Sequence, residues 1–249
     1  MDFIDTDYNN AFVNMAIDEV LLSSKVPVLR FYQWKPNAIS IGRFQNINEI
    51  DIGFCSKNKI DIVRRITGGK TVLHENELTY SFIVDKNRLP QSIIASYNTI
   101  SCAIIRGLQA LGLNPKMNKS GIINKDNPVC FQEPSFNEIV INRKKIVGSA
   151  QTRVNGKLLQ HGSILAGIDN KKYSNCFIHK PGTDKLKKRI SYIDIPVNKL
   201  KEAIKYGFSK YFNIKLNDRN LSSMELSAAG KLAMEKYQSM KWTERCANV

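Results

Sequence analysis

The order of strand-length and helix-length patterns constrains the fold of this chain more than any other feature. Eight short apolar segments separated by turn residues are typical of strands. They are 28–34, 38–42, 61–65, 71–73, 78–84, 137–141, 145–153 and 157–165. Four helical patterns accompany them, at 11–22, 91–111, 197–212 and 222–240. This order predicts an α/β (α+β) protein in which mixed β-sheets are flanked by helices, with a helical C-terminal extension.

Local signals support several of these boundaries. Val13, Ile17 and Leu21 recur at the spacing of one helical face in the first helix. Gly112 follows the second helical pattern and is the residue type that commonly ends a helix. The step from Asn155 to Gly156 predicts a tight hairpin between the last two strands.

Composition places the chain among compact intracellular proteins. Its 249 residues suit one large domain, and no apolar run approaches the ~18 residues of a membrane span. The first five residues, Met-Asp-Phe-Ile-Asp, lack the basic and apolar regions of a signal peptide. The five cysteines are irregularly spaced and include no Cys-x-x-Cys pair, which favours reduced thiols. We therefore expect a cytoplasmic protein that makes no contact with a membrane.

The net charge of +15 predicts an acidic partner. Basic residues cluster at 116–125, 171–172 and 180–189, where the pattern also fits ordinary solvated loops. No zinc-finger spacing or aromatic ribonucleoprotein motif supports the reading of nucleic acid bases. An acidic protein, such as a carrier protein or another small acidic domain, is the partner we expect, and not nucleic acid.

Cys130 and Lys145 form the first candidate catalytic pair. A thiol beside an ammonium group is the usual means of stabilising a thiolate, and a thiolate is a strong nucleophile for acyl chemistry. The alternative for any of the five cysteines is a small buried hydrophobic residue, and Cys102, within a helical apolar pattern, fits that alternative best.

Two further motifs carry residues suited to ligand binding. Gly68 and Gly69 lie in an Arg-Arg-Ile-Thr-Gly-Gly run, where paired glycines let backbone approach a ligand closely. The spacing matches neither a P-loop nor a dinucleotide-binding loop. His161 lies at the centre of a strand and is followed by Gly162 and Ser163. A histidine on a strand is more often a core residue than a catalyst, but with His74 it could supply polar groups near the thiol.

Together these motifs resemble the lipoate/biotin protein ligase superfamily. The matching runs are Arg-Arg-Ile-Thr-Gly-Gly-x-x-Val-Leu-His at 64–74, Glu-Leu-Thr-Tyr-Ser at 77–81, Lys-Ile-Val-Gly-Ser-Ala-Gln at 145–151 and His-Gly-Ser at 161–163. The opening Asn-Met-Ala-Ile-Asp-Glu at 14–19 is also similar, and the match spans nearly the whole chain in the correct order. Within the superfamily the chain is most similar to the LipM-type octanoyltransferases.

Two differences from the motifs of the related ligases also indicate an octanoyltransferase. Lipoate ligases typically carry three consecutive glycines and lack a cysteine at position 130, whereas here Gly69 is followed by Lys70 and Cys130 opens a Cys-Phe-x-x-Pro-Ser run. The Gly-Arg-Gly-Arg loop of biotin ligases is absent from the sequence. Both departures favour acyl transfer over ATP-dependent ligation.

The resemblance implies a single biotin/lipoate protein ligase-like catalytic domain over 1–249, with its core at about 25–215 and a helical extension at about 216–249. It implies transfer of octanoyl from acyl carrier protein to a lysine of a lipoyl domain, such as the glycine-cleavage H protein. In that reaction Cys130 forms a thioester, and Lys145 lowers the thiol pKa or binds the developing oxyanion. No cofactor and no metal are implied. Residues expected to bind substrate are Arg65, Thr67, Gly68, Gly69, His74, Tyr80, Gly148, Ser149, Ala150, His161, Gly162 and Ser163.

Two alternatives stay open at this point. The first is an ATP-dependent lipoate ligase or an amidotransferase that moves octanoyl between lipoyl proteins. The second is a non-catalytic basic binding module that keeps the fold, although such a module needs neither Cys130 nor Lys145.

Overall fold

The computed structural model of the protein describes residues 1–118 and 138–244. Within these ranges the strands are β1 (Asp2–Asn9), β2 (Val28–Trp34), β3 (Ala38–Ile41), β4 (Asp61–Arg64), β5 (Val72–His74), β6 (Glu77–Asp85), β7 (Lys116–Met117), β8 (Ile139–Ile141), β9 (Lys144–Val154), β10 (Lys157–Leu165) and β11 (Asn217–Asp218). The helices are α1 (Ala11–Val20), α2 (Ile52–Lys57), α3 (Ile93–Ala110), α4 (Asn170–Asn175), α5 (Thr183–Arg189), α6 (Val197–Phe212), α7 (Ser223–Leu232) and α8 (Met240–Thr243).

The described strands form one large sheet and one small sheet. The large sheet has the order β11-β1-β2-β6-β10-β9-β8-β7, and the small sheet has the order β4-β3-β5. β1 runs parallel to β2 and to β11, whereas the pairs from β2 through β6, β10 and β9 to β8 are antiparallel. The predicted α/β class with a mixed sheet flanked by helices is therefore confirmed.

Helices cover both faces of the large sheet. On one face α3 and α6 cross at Gly107 and Gly207, where a Cβ on Gly207 would lie 2.3 Å from the carbonyl oxygen of Ala103. This close approach packs Ile104 and Phe208 against the sheet. The opposite face is covered by α1 and by the C-terminal helices, which share a second apolar cluster with the sheet.

The small sheet has its own apolar cluster beside the large sheet. Leu186 and Ile190 bury their side chains in this cluster, together with Tyr173 and Phe177. The basic segment 180–189, whose pattern also fits a solvated loop, contains α5. The loop interpretation is wrong here because a helix of about two turns buries Leu186, and Ile190 after it, while the lysines stay in solvent.

The C-terminal segment is attached to the small sheet by a buried arginine. Arg64 donates to the carbonyl oxygens of Gly42, Arg43 and Gln45, at 2.7–3.1 Å, and to that of Thr243 through Nε and Nη2. The indole of Trp242 donates to the Arg64 carbonyl at 2.9 Å. These contacts support our proposal that 1–249 form one domain.

The N-terminal residues contribute more to the core than the predicted range of about 25–215 suggests. β1 pairs along β2, and its Phe3 and Ile4 are buried on opposite faces of the sheet. The helix predicted at 222–240 divides into α7, a π-helical turn at Ala233–Tyr237 and α8. None of the helices in the described ranges has both the length and the apolar character that a membrane span requires.

Candidate active site

A cavity lies where α1, the large sheet and the small sheet meet. Met15, Tyr32, Trp34 and Val72 supply its apolar and aromatic wall. The remaining lining is made of glycines and polar residues: Ser40, Arg65, Gly69, His74, Thr79, Gly148, Ser149, Ala150, His161, Gly162 and Ser163. Nine of the predicted substrate-binding residues are among these, so motifs distant in sequence meet around one space.

The other three predicted binding residues lie behind this wall. Thr67 bonds through Oγ1 to Nε2 of His161 at 2.7 Å, and the Gly68 carbonyl accepts from Nη2 of Arg65 at 2.8 Å. The Tyr80 hydroxyl bonds to Oγ of Ser149 at 2.7 Å. Burial raises the pKa of Tyr80 to about 12. These three residues therefore hold lining residues in place.

Arg65 shapes the glycine loop, residues 65–70, from within. Its guanidinium donates at 2.8 Å to the carbonyl oxygens of Ser40, Gly68 and Lys70. The loop packs so tightly on the turn after β3 that a Cβ on Gly42 would lie 1.9 Å from the Gly69 carbonyl oxygen. Gly69 itself has a φ of 87°, which favours glycine. These partners of Arg65 are oxygens of the protein, so the first role of Arg65 is structural.

His161 belongs to a buried chain of hydrogen bonds that starts on α1. Asp18 accepts from Arg30 at 2.7 Å and from the Tyr32 hydroxyl at 2.9 Å, and its Oδ2 lies 3.1 Å from Nδ1 of His161. The network assigns the Nδ1 proton to the bond with Asp18, which leaves Nε2 to accept from Thr67. Burial lowers the pKa of His161 and outweighs the opposing effect of Asp18. The imidazole is therefore neutral near neutral pH.

Asp18 stays ionised although it is buried. Burial alone would raise the pKa of its carboxyl, but the positive charge of Arg30 and the bond to His161 outweigh burial and lower it. A folded-state pKa below the unfolded value stabilises the fold above about pH 4, and this contribution is lost as the pH falls through the folded-state pKa.

Replacing Asp18 by asparagine should destabilise the protein strongly. The change leaves the guanidinium of Arg30, which has no exposed surface, without its carboxylate. Breaking a buried pair in this way costs about 3–5 kcal/mol, which urea unfolding followed by circular dichroism would measure. Asp85→Asn is the matched control, because the pair of Asp85 with Lys157 is partly exposed and should contribute at most about 1 kcal/mol. Equal losses for both variants would contradict the importance of the Asp18 network.

His74 is held by a second network on the opposite wall. Its Nε2 lies 2.8 Å from Oγ of Ser40 and its Nδ1 lies 2.7 Å from Oε1 of Glu77. The imidazole also stacks on the Trp34 ring, with 3.9 Å between the centroids. Oγ of Ser163 donates to the same carboxylate oxygen at 2.7 Å. The ring is thus fixed as a flat part of the wall.

Lys145 is completely buried at the start of β9 and forms an ion pair with Glu138. Its carbonyl oxygen accepts from the backbone N–H of Ser191 at 3.0 Å. The backbone N–H of Asn118 donates to the Glu138 carbonyl at 2.8 Å. The two ends of the described chain that border 119–137 therefore meet beside Lys145. The pairing of Lys145 with Glu138 was not among the predictions from the sequence.

Cys130 lies outside the described residues, so its proximity to Lys145 stays a prediction. Cys55 and Cys176 are fully buried, whereas Cys102 is only half-buried. The expectation that Cys102 is the best-buried cysteine is therefore wrong among the three that the structure describes. In that part of the chain, no group of three or more His, Cys, Asp and Glu side chains is placed to hold a metal ion.

The chain is similar to known proteins over nearly its whole length. Residues 10–214 match the lipoyl protein ligase A/B catalytic domain. The octanoyltransferase LipM of Staphylococcus aureus is 37% identical to the chain over an alignment of 271 positions, which covers 98% of each protein. The chain belongs to the lipoyl protein ligase A/B family. The LipM protein of Bacillus subtilis is also 37% identical, over 96% of each chain. The protein is thus an acyltransferase, and the predicted resemblance is confirmed.

Solved structures agree with the family assignment. A lipoate-protein ligase A bound with ATP superposes with a TM-score of 0.85 at 25% identity, covering 98% of both chains. A putative lipoate protein ligase from T. acidophilum with bound lipoic acid has a TM-score of 0.82 at 24% identity, which supports the fold.

Proposed function

We propose that the protein transfers octanoyl from octanoyl-acyl carrier protein to a lysine of a lipoyl domain, such as the glycine-cleavage H protein, in lipoate biosynthesis. The observation that carries this proposal is the near full-length similarity to LipM octanoyltransferases. In this chain the motifs at 64–74, 145–151 and 161–163 contribute residues to one cavity. We further propose a cytoplasmic location, since the described cysteines are free thiols.

The cavity suits an acyl chain with a polar head. Apolar and polar side chains both line it, as is usual for small-molecule sites. Met15, Tyr32, Trp34 and Val72 offer apolar surface, and each buried CH₂ of an octanoyl tail contributes about 0.8 kcal/mol. Both ring nitrogens of His161 and of His74 are engaged in hydrogen bonds, which fixes the two side chains as parts of the polar wall.

The proposed chemistry proceeds in two acyl transfers. The Cys130 thiolate attacks the carrier thioester, so that a C–S bond to Cys130 forms while the bond to the carrier thiol breaks. The amine of the acceptor lysine then attacks the new thioester, forming an amide and releasing Cys130. Thioester exchange is nearly neutral in free energy and the amide is the more stable product, so the sequence of steps needs no ATP.

Two groups can stabilise the oxyanion in these steps. The first is the ammonium of Lys145. The second is the backbone of β9 from Gly148 to Ala150, because β8 pairs with β9 only as far as Val147. Beyond that point no strand among the described residues occupies this edge, and backbone N–H groups there are suited to stabilise developing negative charge.

An ATP-dependent ligase is the second candidate, favoured by the structural similarity to a lipoate-protein ligase A bound with ATP. One experiment separates the two. The protein, octanoyl-carrier protein and a lipoyl domain are mixed without ATP, and intact-protein mass is recorded. We expect the lipoyl domain to gain about 126 Da, the mass of an octanoyl group replacing one hydrogen. Product that forms only from free octanoate and ATP would identify a ligase instead.

The acceptor is also a proposal. One structural neighbour at 23% identity is described as a bi-partite lipoate protein ligase and its E2 lipoyl domain from Thermoplasma acidophilum. Comparing the glycine-cleavage H protein with an E2 lipoyl domain in the assay above would establish which acceptor this chain prefers.

A further inference from the structure

The short helix α5 presents lysines to solvent beside the candidate active site. Leu186 is fully buried and anchors the helix, while Lys185, Lys187 and Lys188 are exposed. Lys171 of α4 and Lys180 are also exposed. Oγ of Ser174, on α4, donates to the Pro181 carbonyl just before α5, and this bond holds the two short helices together. We call the surface formed by Lys171, Lys180, Lys185, Lys187 and Lys188 the basic face.

The basic face is a cluster of lysines whose charges are not neutralised by ion pairs with described residues. In the described part of the chain, none of its five lysines lies within ion-pair distance of a carboxylate. On α6, by contrast, Lys201 pairs with Asp5 and Asp7, and Lys205 pairs with Asp218. The positive charge of these five lysines is therefore available to a partner at this face.

The basic face is connected directly to the strand that carries Lys145. Ser191 follows α5 by two residues, and its backbone N–H donates to the Lys145 carbonyl at 3.0 Å. Ile190 forms a parallel bridge with Lys145 itself. With a rise of about 3.3 Å per residue along a strand, the cavity wall at Gly148 lies about 10 Å from this junction.

We propose that the basic face docks the acidic carrier protein that delivers the acyl group, which rests on the function proposed above. Opposite charges steer the two surfaces together and fix their orientation. Ile178, 53% exposed beside Lys180, adds an apolar contact of the kind found between folded proteins.

The offset between the basic face and the cavity favours the donor over the acceptor. A carrier protein presents its acyl group on a long flexible arm, which can span about 10 Å from a docking surface to the cavity wall. An acceptor lysine has only its own side chain and must bring its domain directly over the cavity. Two short helices also give a compact surface, which suits a folded acidic domain better than an extended nucleic acid.

The test compares two variants with equal changes in net charge. The first carries Lys185→Glu, Lys187→Glu and Lys188→Glu. The control carries Lys25→Glu, Lys199→Glu and Lys210→Glu, three exposed lysines that belong neither to α4 nor to α5. Each is assayed with octanoyl-carrier protein and with a small neutral octanoyl thioester, at low and at moderate salt.

We expect the α5 variant to raise KM for octanoyl-carrier protein about tenfold or more and to lose most of its salt dependence, as steering predicts. Its rate with the small thioester and its KM for the lipoyl domain should match those of the control. The proposal would be overturned if the α5 variant lost equal activity with both donors, or if the control lost as much activity as the α5 variant. A KM raised for the lipoyl domain instead of the carrier protein would also overturn it. Duplex DNA that binds the native protein and competes with the carrier would also overturn it.

Failure of the proposed function gives a different result. In that case the native protein acylates nothing from either donor at any salt concentration. A native protein that uses both donors, with an α5 variant that behaves like its control, refutes only the docking surface.

Discussion

Replacing Cys130 by serine should abolish the thioester intermediate and reduce octanoyl transfer by about a thousandfold or more, as is typical when a covalent nucleophile is removed. A serine hydroxyl is almost fully protonated at neutral pH, so at best it forms an ester slowly. Intact-protein mass after mixing with octanoyl-carrier protein should show a gain of about 126 Da in the native protein and none in Cys130→Ser.

The other cysteines provide the controls for this result. Cys55 and Cys176 are fully buried in the cluster around the small sheet, so their replacement would confuse stability with activity. Cys102→Ser and Cys246→Ser are better matched, because Cys102 is half-buried on α3 and Cys246 is three residues from the end of the sequence. Both variants should keep the adduct and the rate. Native turnover by Cys130→Ser would place the nucleophile elsewhere.

The sequence alone predicts elements well where burial produces a regular pattern. β2, β10 and α6 have the bounds expected from their apolar patterns. β2 is buried along its whole length, and α6 buries one face. β1 was missed because Asp2–Asn9 is rich in aspartate, and only its parallel pairing with β2 makes it a strand. Non-local pairing of this kind leaves no local signal.

The candidate site likewise contains residues that the sequence predicts and residues that it does not. Glycines and histidines in compact motifs indicate the polar wall, because special backbone conformations and polar side chains are visible locally. Met15, Tyr32 and Trp34 are not distinguishable from other core residues until α1 packs on β2 and exposes them to the cavity. Arg65 was expected to face a ligand, but in the described structure it holds the carbonyl oxygens of its own loop.

The pairing of Glu138 with Lys145 did have a local signal. Asn142 and Arg143 both have positive φ, 49° and 63°, as the two central residues of a type I′ hairpin turn do. Such a turn makes β8 and β9 adjacent and sets Val140 opposite Lys145. Reading Asn142 as a hairpin residue would have placed the carboxylate of Glu138 near the lysine.

Replacing Lys145 by methionine should raise the pKa of the Cys130 thiol and slow the formation of the thioester. Methionine keeps the apolar volume that the buried lysine fills and removes only the positive charge. Loss of a nearby cation disfavours the thiolate, so the pH profile of iodoacetamide alkylation at Cys130 should move upward by about one unit or more. Mass analysis of the peptide that contains Cys130 reports this site alone.

Replacing Glu138 should change the electrostatic effect of Lys145 on the Cys130 thiol in the opposite direction. Its carboxylate pairs with Lys145 and offsets part of the positive charge that a neighbouring thiolate would experience. Glu138→Gln keeps the shape of the side chain and removes the negative charge, so the alkylation profile should move downward in pH. Thermal unfolding of both variants checks that the fold persists. If the two substitutions move the profile in the same direction, or leave it in place, Lys145 acts on the acyl group and not through the charge of the thiol.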